Sequence, residues 1–282
     1  MVNIQDLGFA YKNRKNLFSG LKLKLSPGNI YGLLGKNGVG KTTLLKIISG
    51  LLFSQTGLCT VMGKNSRDRA TSFLQEIYFI PEEFYTPQIT IKQYEALYSP
   101  FYPRFDKNMF HSYNDEFKLS GSDLLSAFSY GQKKKFLLSF GLATLSKVFI
   151  MDEPTNGLDI PSKSQFRKLI ASSITEDRIF IISTHQVRDM ENLIDPIIIL
   201  EDGKIIFHQN MEEISGKLLV ALQQQEPAAG EVLYYDRVPG GFSVIKENKT
   251  GEDSKIDLEI LFNAVITNRI NFNTMFNPGE KL

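Results

Sequence analysis

The chain has 282 residues, 42% of them hydrophobic, enough for a sizeable core in one large domain or in one domain with a small appendage. A formal net charge of +1 leaves no global basic field of the kind that sequence-independent nucleic-acid binding relies on. The single cysteine, Cys59, has no partner for an internal disulfide, which favours a reducing compartment over a secreted setting.

Met1 to Asp6 carries no basic stretch followed by an apolar one, so the start does not read as a signal peptide. Leu21–Leu25 alternates apolar residues with Lys, the pattern of an open-faced strand, and Ile30–Leu34 is an apolar strand that runs into a Gly-rich loop. A helix is expected from Lys41, and Ile77–Ile80 is a further short strand. Thr90 and Gln93 have capping-box spacing and open a helix. Met109, Phe110, Tyr113 and Phe117 recur at helical spacing, and Ser129 to Leu145 reads as a loop entering a long helix. Strand Val148–Met151, helix Pro161–Ser173, strand Ile179–Ser183, helix Arg188–Leu193 and strand Ile197–Leu200 follow, and Asp202-Gly203 turns the chain into Lys204–His208. The alternation of strands and helices argues for an α/β sheet core. The strongest apolar runs are strand-length, far from the roughly 20 residues that span a bilayer, so a membrane role is expected through a partner.

The tail has a different texture. Gln223 to Gly230 is expected as a linker, Val232–Asp236 and Phe242–Lys246 as a hairpin around Pro239-Gly240-Gly241, and Leu258, Leu261, Phe262 and Val265 as the apolar stripe of a closing helix. Internal repeats and heptad runs are not found.

Chemistry concentrates in two places. Gly35-Lys36-Asn37-Gly38-Val39-Gly40-Lys41-Thr42 fits G-x-x-x-x-G-K-[ST] between a strand and a helix. Its glycines let backbone N–H groups curl around a phosphate, and the helix N-terminus adds a favourable dipole. Lys41 is placed to pair β- and γ-phosphate oxygens, and Thr42 to set its hydroxyl on Mg²⁺, with Thr43 next in the same cradle. Val148 to Met151 then delivers Asp152 and Glu153 at a strand end: Asp152 toward the metal, Glu153 toward the attacking water. The implied ligands are ATP and Mg²⁺.

The remaining motifs resemble those of the ABC transporter nucleotide-binding domains, in family order from Tyr11 to His185 and more generally to about residue 215. Phe128-Ser129-Tyr130-Gly131-Gln132 looks like the signature sequence, Asn156-Gly157-Leu158-Asp159 like the D-loop, and His185 like the switch histidine. Tyr11 sits where the family stacks an aromatic on adenine, and simple packing is the alternative. The resemblance implies a P-loop ATPase with an antiparallel β subdomain, a mixed and parallel α/β core and a helical signature subdomain at about 84–145. That ATPase domain would occupy 1–215, with a small α+β extension at 216–282. It further implies that two copies, identical or homologous, close head to tail around ATP. Ser129, Gly131, Gln132 and Asp159 of one copy would then face the nucleotide of the other. The partner would be an integral membrane permease, with no nucleic acid, and the location the cytoplasmic face of the membrane. The segment Phe101 to Asp106 looks most like bacterial exporter-type ATPases paired with separate permease chains. The alternative is a soluble ABC-type ATPase acting on nucleic acid or ribosomes, though such proteins usually fuse two domains or carry a long coiled coil.

Two departures from the family stand out. Glu82 occupies a position usually held by Gln; it can still reach Mg²⁺ but brings a negative charge near the γ-phosphate. Phe128 and Tyr130 depart from the signature, while Ser129 and Gly131 are retained. Lys133-Lys134-Lys135 reads either as positive charge beside the second phosphate site or as a solvated face. Between Glu82 and Phe105 lies a dense aromatic segment, read either as the core of a helical subdomain or as a permease-facing groove. The groove reading requires at least two of Phe84, Tyr85, Phe101 and Tyr102 to be exposed.

Overall fold

In the computed structural model, which describes residues 1–276 apart from 229, 250, 252, 253 and 268, the chain opens with β1 (Val2–Ala10), β2 (Asn16–Leu25), β3 (Asn29–Leu34) and α1 (Lys41–Ile48). Next come β4 (Thr56–Val61), β5 (Lys64–Asn65), α2 (Thr71–Leu74) and β6 (Ile77–Ile80). The helices α3 (Ile91–Tyr98), α4 (Lys107–Glu116) and α5 (Tyr130–Ala143) precede β7 (Val148–Asp152), α6 (Ile160–Ser173), β8 (Ile179–Thr184), β9 (Ile197–Glu201) and β10 (Lys204–Gln209). The tail holds α7 (Met211–Lys217), β11 (Leu218–Gln223), β12 (Tyr234–Val238), β13 (Gly241–Glu247), α8 (Leu258–Thr267) and α9 (Arg269–Phe276).

The central sheet runs β10-β9-β3-β8-β7-β6 and is parallel except for β10, which forms a hairpin with β9. Its strands are buried on both faces, which is why they read as continuous apolar runs. Parity sorts their side chains. Tyr31, Leu33, Val148, Ile150, Ile179, Ile181, Ile198 and Leu200 join α1 and the antiparallel sheet β2-β1-β4-β5 in one core. Ile30, Leu34, Phe149, Met151, Phe180, Ile182, Ile197 and Ile199 join the helices and the tail in the other. The parallel register brings the ends of β3, β7 and β8 to one edge, where ligands of open α/β sheets bind.

The expected α/β class, the core strands at Ile77, Val148, Ile179 and Ile197 and the capped helix at Thr90 agree with the structure, where Thr90 and Gln93 satisfy each other reciprocally; β2 begins at Asn16 rather than Leu21, and β12 lies at Tyr234–Val238 rather than Val232–Asp236. Two expectations need correction. Arg188–Leu193 is not an α-helix: a 3-10 turn spans Val187–Asp189, and turns carry the chain on to Asp195. Val187, Met190 and Leu193 are buried at a spacing of three residues, which suits 3-10 geometry, and Pro196 biases the residue before it toward extended backbone. Gln223 to Gly230 is not a linker between domains. Gln223 ends β11, and the stretch joins it to β12, both flanking β13 in one antiparallel sheet; residue 229 lies outside the described residues.

The aromatic segment divides. Tyr94, Tyr102 and Phe105 pack on Phe140, and Phe84 stacks on Tyr130 at 5.6 Å. Tyr85 and Phe101 stand out in solvent, 85% and 64% exposed. Two of the four named rings are therefore exposed, as the groove reading requires.

Candidate active site

The loop after β3 curls because its glycines permit it. Gly40 adopts φ 110°, and a Cβ there would strike the Phe18 ring at 2.9 Å, so only glycine fits where the loop enters α1. The Lys41 ammonium donates to the Gly35 carbonyl at 2.6 Å and the Lys36 carbonyl at 3.2 Å, folded back across the loop it would open toward phosphate. Burial pulls the Lys41 pKa down, while Glu153, Asp152 and Glu82 hold it up.

Asp152 ends β7 fully buried, and both of its oxygens are held: Thr42 Oγ1 donates to one at 2.7 Å and Ser183 Oγ to the other at 2.5 Å. Glu153 follows in the left-handed region at φ 46°, its N–H bonded to the Ser183 carbonyl at 3.1 Å. That turn swings the carboxylate toward β8. There it meets His185 Nδ1 at 2.8 Å and accepts from the His185 backbone N–H at 3.3 Å.

Around these residues opens a cleft of about 490 Å³, lined by Asn37, Gly38, Gly40, Lys41, Thr42, Thr43, Glu82, Asp152, Glu153 and His185. Tyr11 stands at its mouth, half exposed, with its hydroxyl 2.9 Å from Thr43 Oγ1 and its ring edge-on to Phe9 at 4.9 Å. Arg14 and Lys15 add two cations at the same rim; the basic run Lys12 to Lys15 was the signal that sequence reasoning passed over. The volume suits a nucleotide-sized ligand, and its wall of N–H groups and lysine suits a polyanion.

Some expected residues point elsewhere. Lys36 Nζ turns out to Glu201 at 3.1 Å, and Gly35 and Lys36 line a separate pocket beside α8. Val39 does not line the cleft; it packs partly into the core, its Cγ1 2.8 Å from where a Cβ on Gly35 would sit. Ser129, Gly131, Gln132 and Asp159 do not line the cleft of their own chain. Ser129 caps α5, forming a reciprocal box with Gln132, and Asp159 caps α6 by accepting from the Ser162 N–H at 2.8 Å.

Lys133-Lys134-Lys135 divides as well. Lys133 and Lys135 are partly exposed, but Lys134 is 4% exposed and donates to the Glu153 carbonyl at 2.6 Å. Burial brings its pKa down to about 8, against the pull of Glu82, Glu153 and Asp152. For this residue neither sequence reading, the solvated face or the second phosphate site, describes what the side chain does.

The family model for ABC transporters matches residues 18–156. The bacitracin transport ATP-binding protein BcrA of Bacillus licheniformis is 30% identical over 211 residues, covering 73% of this chain and 68% of its own. The chain belongs to the ABC transporter ATP-binding proteins. It is an ATPase of that family, the subunit that binds and hydrolyses ATP. The Nod factor export ATP-binding protein I of Rhizobium etli is 27% identical over 250 residues, 84% of this chain and 79% of its own. A solved ATP-binding subunit of an ABC transporter superposes with a TM-score of 0.69 at 23% identity, over 76% of this chain and 91% of that one. A dimeric post-hydrolysis ATP-binding cassette, MJ0796, bound to ADP and Pi gives 0.66 at 20% identity, over 75% of this chain and 99% of that one. Those likenesses speak for the ABC ATPase fold.

Proposed function

We propose that residues 1–215 are the motor of an exporter, that they bind ATP with Mg²⁺, and that two such motors close head to tail on a membrane permease. One observation carries the reading: each chain holds half of a site. The phosphate loop, Asp152, Glu153 and His185 converge on one cleft, while Ser129 and Gly131 stand at an exposed helix N-terminus outside it. A helix N-terminus with free N–H groups is an anion site awaiting an anion, and here that is the γ-phosphate held by the partner.

The oxygen donors fit Mg²⁺. Thr42 and Asp152 already touch, Glu82 lines the same cleft, and no trio of His, Cys, Asp or Glu among the described residues makes a closed protein cage. An ion held by one or two protein oxygens and completed by phosphate and water is the usual magnesium arrangement. Bound there, it would neutralise phosphate charge. Lys41 leaves its loop carbonyls for phosphate oxygens, and Glu153, aimed by His185, takes the proton of the attacking water. No helix among the described residues is long and apolar enough to cross a membrane, which fits a subunit that works on a permease. Tyr85 and Phe101 offer that permease two exposed anchors, the kind of residue that interfaces favour. The relative named for Nod factor export supports export as the direction, and the one named for bacitracin transport fits a transporter motor.

Mixing tests the shared site. Ser129→Arg and Lys41→Ala each abolish hydrolysis in homodimers. Mixed dimers gather both lesions at one site and leave the other intact, so hydrolysis returns above that of either variant alone. Absence of any recovery under proven subunit exchange would overturn the head-to-tail reading.

A further inference from the structure

Glu153 holds a backbone conformation, φ 46°, that non-glycine residues rarely adopt. Such a conformation persists only where neighbours hold the peptide on both sides. On the N–H side stands Ser183, through its carbonyl at 3.1 Å and its hydroxyl at 3.3 Å. On the carbonyl side stand the Asn156 N–H at 3.3 Å and, much closer, the Lys134 ammonium at 2.6 Å.

The electrostatics around this point are unbalanced. Asp152, Glu153 and Glu82 bring three carboxylates to one region, and Lys41 and Lys134 are the buried lysines among the described residues. On the reading above, Lys41 goes to nucleotide phosphate. Lys134 is then the buried lysine left to offset Glu82, whose charge the usual Gln would not carry, while Arg14 and Lys15 stay at the exposed rim. The two departures from the family pattern are also in contact. Tyr130 donates its hydroxyl to the Glu82 carbonyl at 2.5 Å, lies 5.0 Å beneath the Lys134 ammonium, and fills the space that a Cβ on Gly157 would enter at 2.6 Å. Glu82 in turn accepts from Asn156 Nδ2 at 3.0 Å. Lys134 rides one turn behind Ser129 on the same helix, so the helix end that meets the partner's nucleotide is tied to the peptide that presents Glu153.

We propose that Lys134 is a positioning residue for hydrolysis: it clamps the Glu153 peptide from the signature helix and supplies the counter-charge that Glu82 requires. The proposal rests on Glu153 being the general base, and the test keeps the two apart.

Steady-state hydrolysis by the full chain is measured for Lys134→Met, Lys134→Gln and Lys134→Arg, each alone and with Glu82→Gln. Lys134→Met should lower kcat by about 10²-fold, the usual cost of a misplaced catalytic group, with KM for ATP nearly unchanged. Lys134→Arg, which keeps charge and donor, should recover most of that loss. In the Glu82→Gln background the loss should shrink by about tenfold, the coupling expected of charges in one network. If Lys134→Met fails to fold, Lys134→Gln, which keeps a donor without the charge, carries the same comparison. Wild-type kcat in Lys134→Met or Lys134→Gln overturns the proposal, and so does an equal loss with Glu82 and with Gln at that position. Glu153→Gln is run alongside. If it is inactive while the Lys134 variants are normal, only the present proposal fails; if it is itself active, the assignment of the base fails instead.

Discussion

Replacing Glu153 with Gln removes the proposed base and little else. The carboxylate is almost wholly buried and engaged by His185 through Nδ1 at 2.8 Å and through the backbone N–H at 3.3 Å. Gln has the same length and shape. Its amide oxygen keeps the backbone contact, and its NH₂ can donate to Nδ1 of a neutral imidazole, so no buried group loses a partner. The hydrogen bonds that Ser183 and Lys134 make to Glu153 engage its main-chain N–H and carbonyl and are untouched. What disappears is a proton acceptor beside the attacking water, worth about 10²–10⁴ in rate, or roughly 3–5 kcal/mol of barrier. ATP affinity should hold or rise slightly, because one negative charge leaves a site already crowded by Asp152 and Glu82. Phosphate release under saturating ATP gives the rate, nucleotide titration the affinity, and gel filtration with ATP the accumulation of a closed dimer. Turnover within about threefold of wild type, with the variant folded and saturated, would refute the role given to Glu153.

The remaining expectations concern the surface, the tail and the lone thiol. Tyr85→Ala and Phe101→Ala should leave stability within about 0.5 kcal/mol, as exposed positions do, and leave hydrolysis intact while transport by the permease complex falls; unchanged transport rejects these rings as anchors. Leu261→Ala, in the core that the tail shares with the central sheet, should cost about 2–5 kcal/mol, whereas Glu259→Ala breaks only an exposed pair with Arg188 and should cost less than about 1 kcal/mol. Urea titrations of both variants decide whether apolar packing or charge holds the tail. The buried Cys59 thiol is pushed up to about 11, so at pH 8 the folded protein should resist iodoacetamide and the unfolded protein should react readily. Because that pKa is raised above the unfolded value, the protonated thiol's contribution to stability is present below pH 9 and lost as pH climbs through 11, so the midpoint of thermal unfolding should fall across that window.

What could be read from the sequence followed from how local each signal is. The phosphate loop is written in eight consecutive residues, so its place between β3 and α1 was legible, but which of its side chains face the cleft was not: Asn37, Lys41 and Thr42 do, while Lys36 and Val39 turn away. The acid pair after β7 depends only on the strand's end. β1 was missed because its alternation is broken by a positive φ at Asp6 and by shifts of register against β2 and β4. β11 follows α7 directly, and the signal at that change, Gly216 in the last helical turn before the apolar run from Leu218, was not used. The 3-10 turn after His185 shows the limit of periodicity: buried residues three apart suit either helix type, and the approaching Pro196 is the clue that favours the tighter one.

The lysine run shows a different limit. Three adjacent like charges read as a solvated stretch because each is weighed by its neighbours in sequence. On a helix the relevant neighbours are four and seven residues on, and for Lys134 these are Leu138 and Gly141, both buried. Lys134 therefore lies on the inward stripe, and its charge has to meet something acidic or carbonyl-rich there. The stripe was readable, but its destination was not. That the carbonyl belongs to Glu153 depends on β7 and α5 meeting in space, and that the charge matters depends on Glu82 arriving from a third element. Glu82, Tyr130 and Lys134 each look like a separate oddity of the sequence, and the structure places them in a single contact network around the turn that presents Glu153.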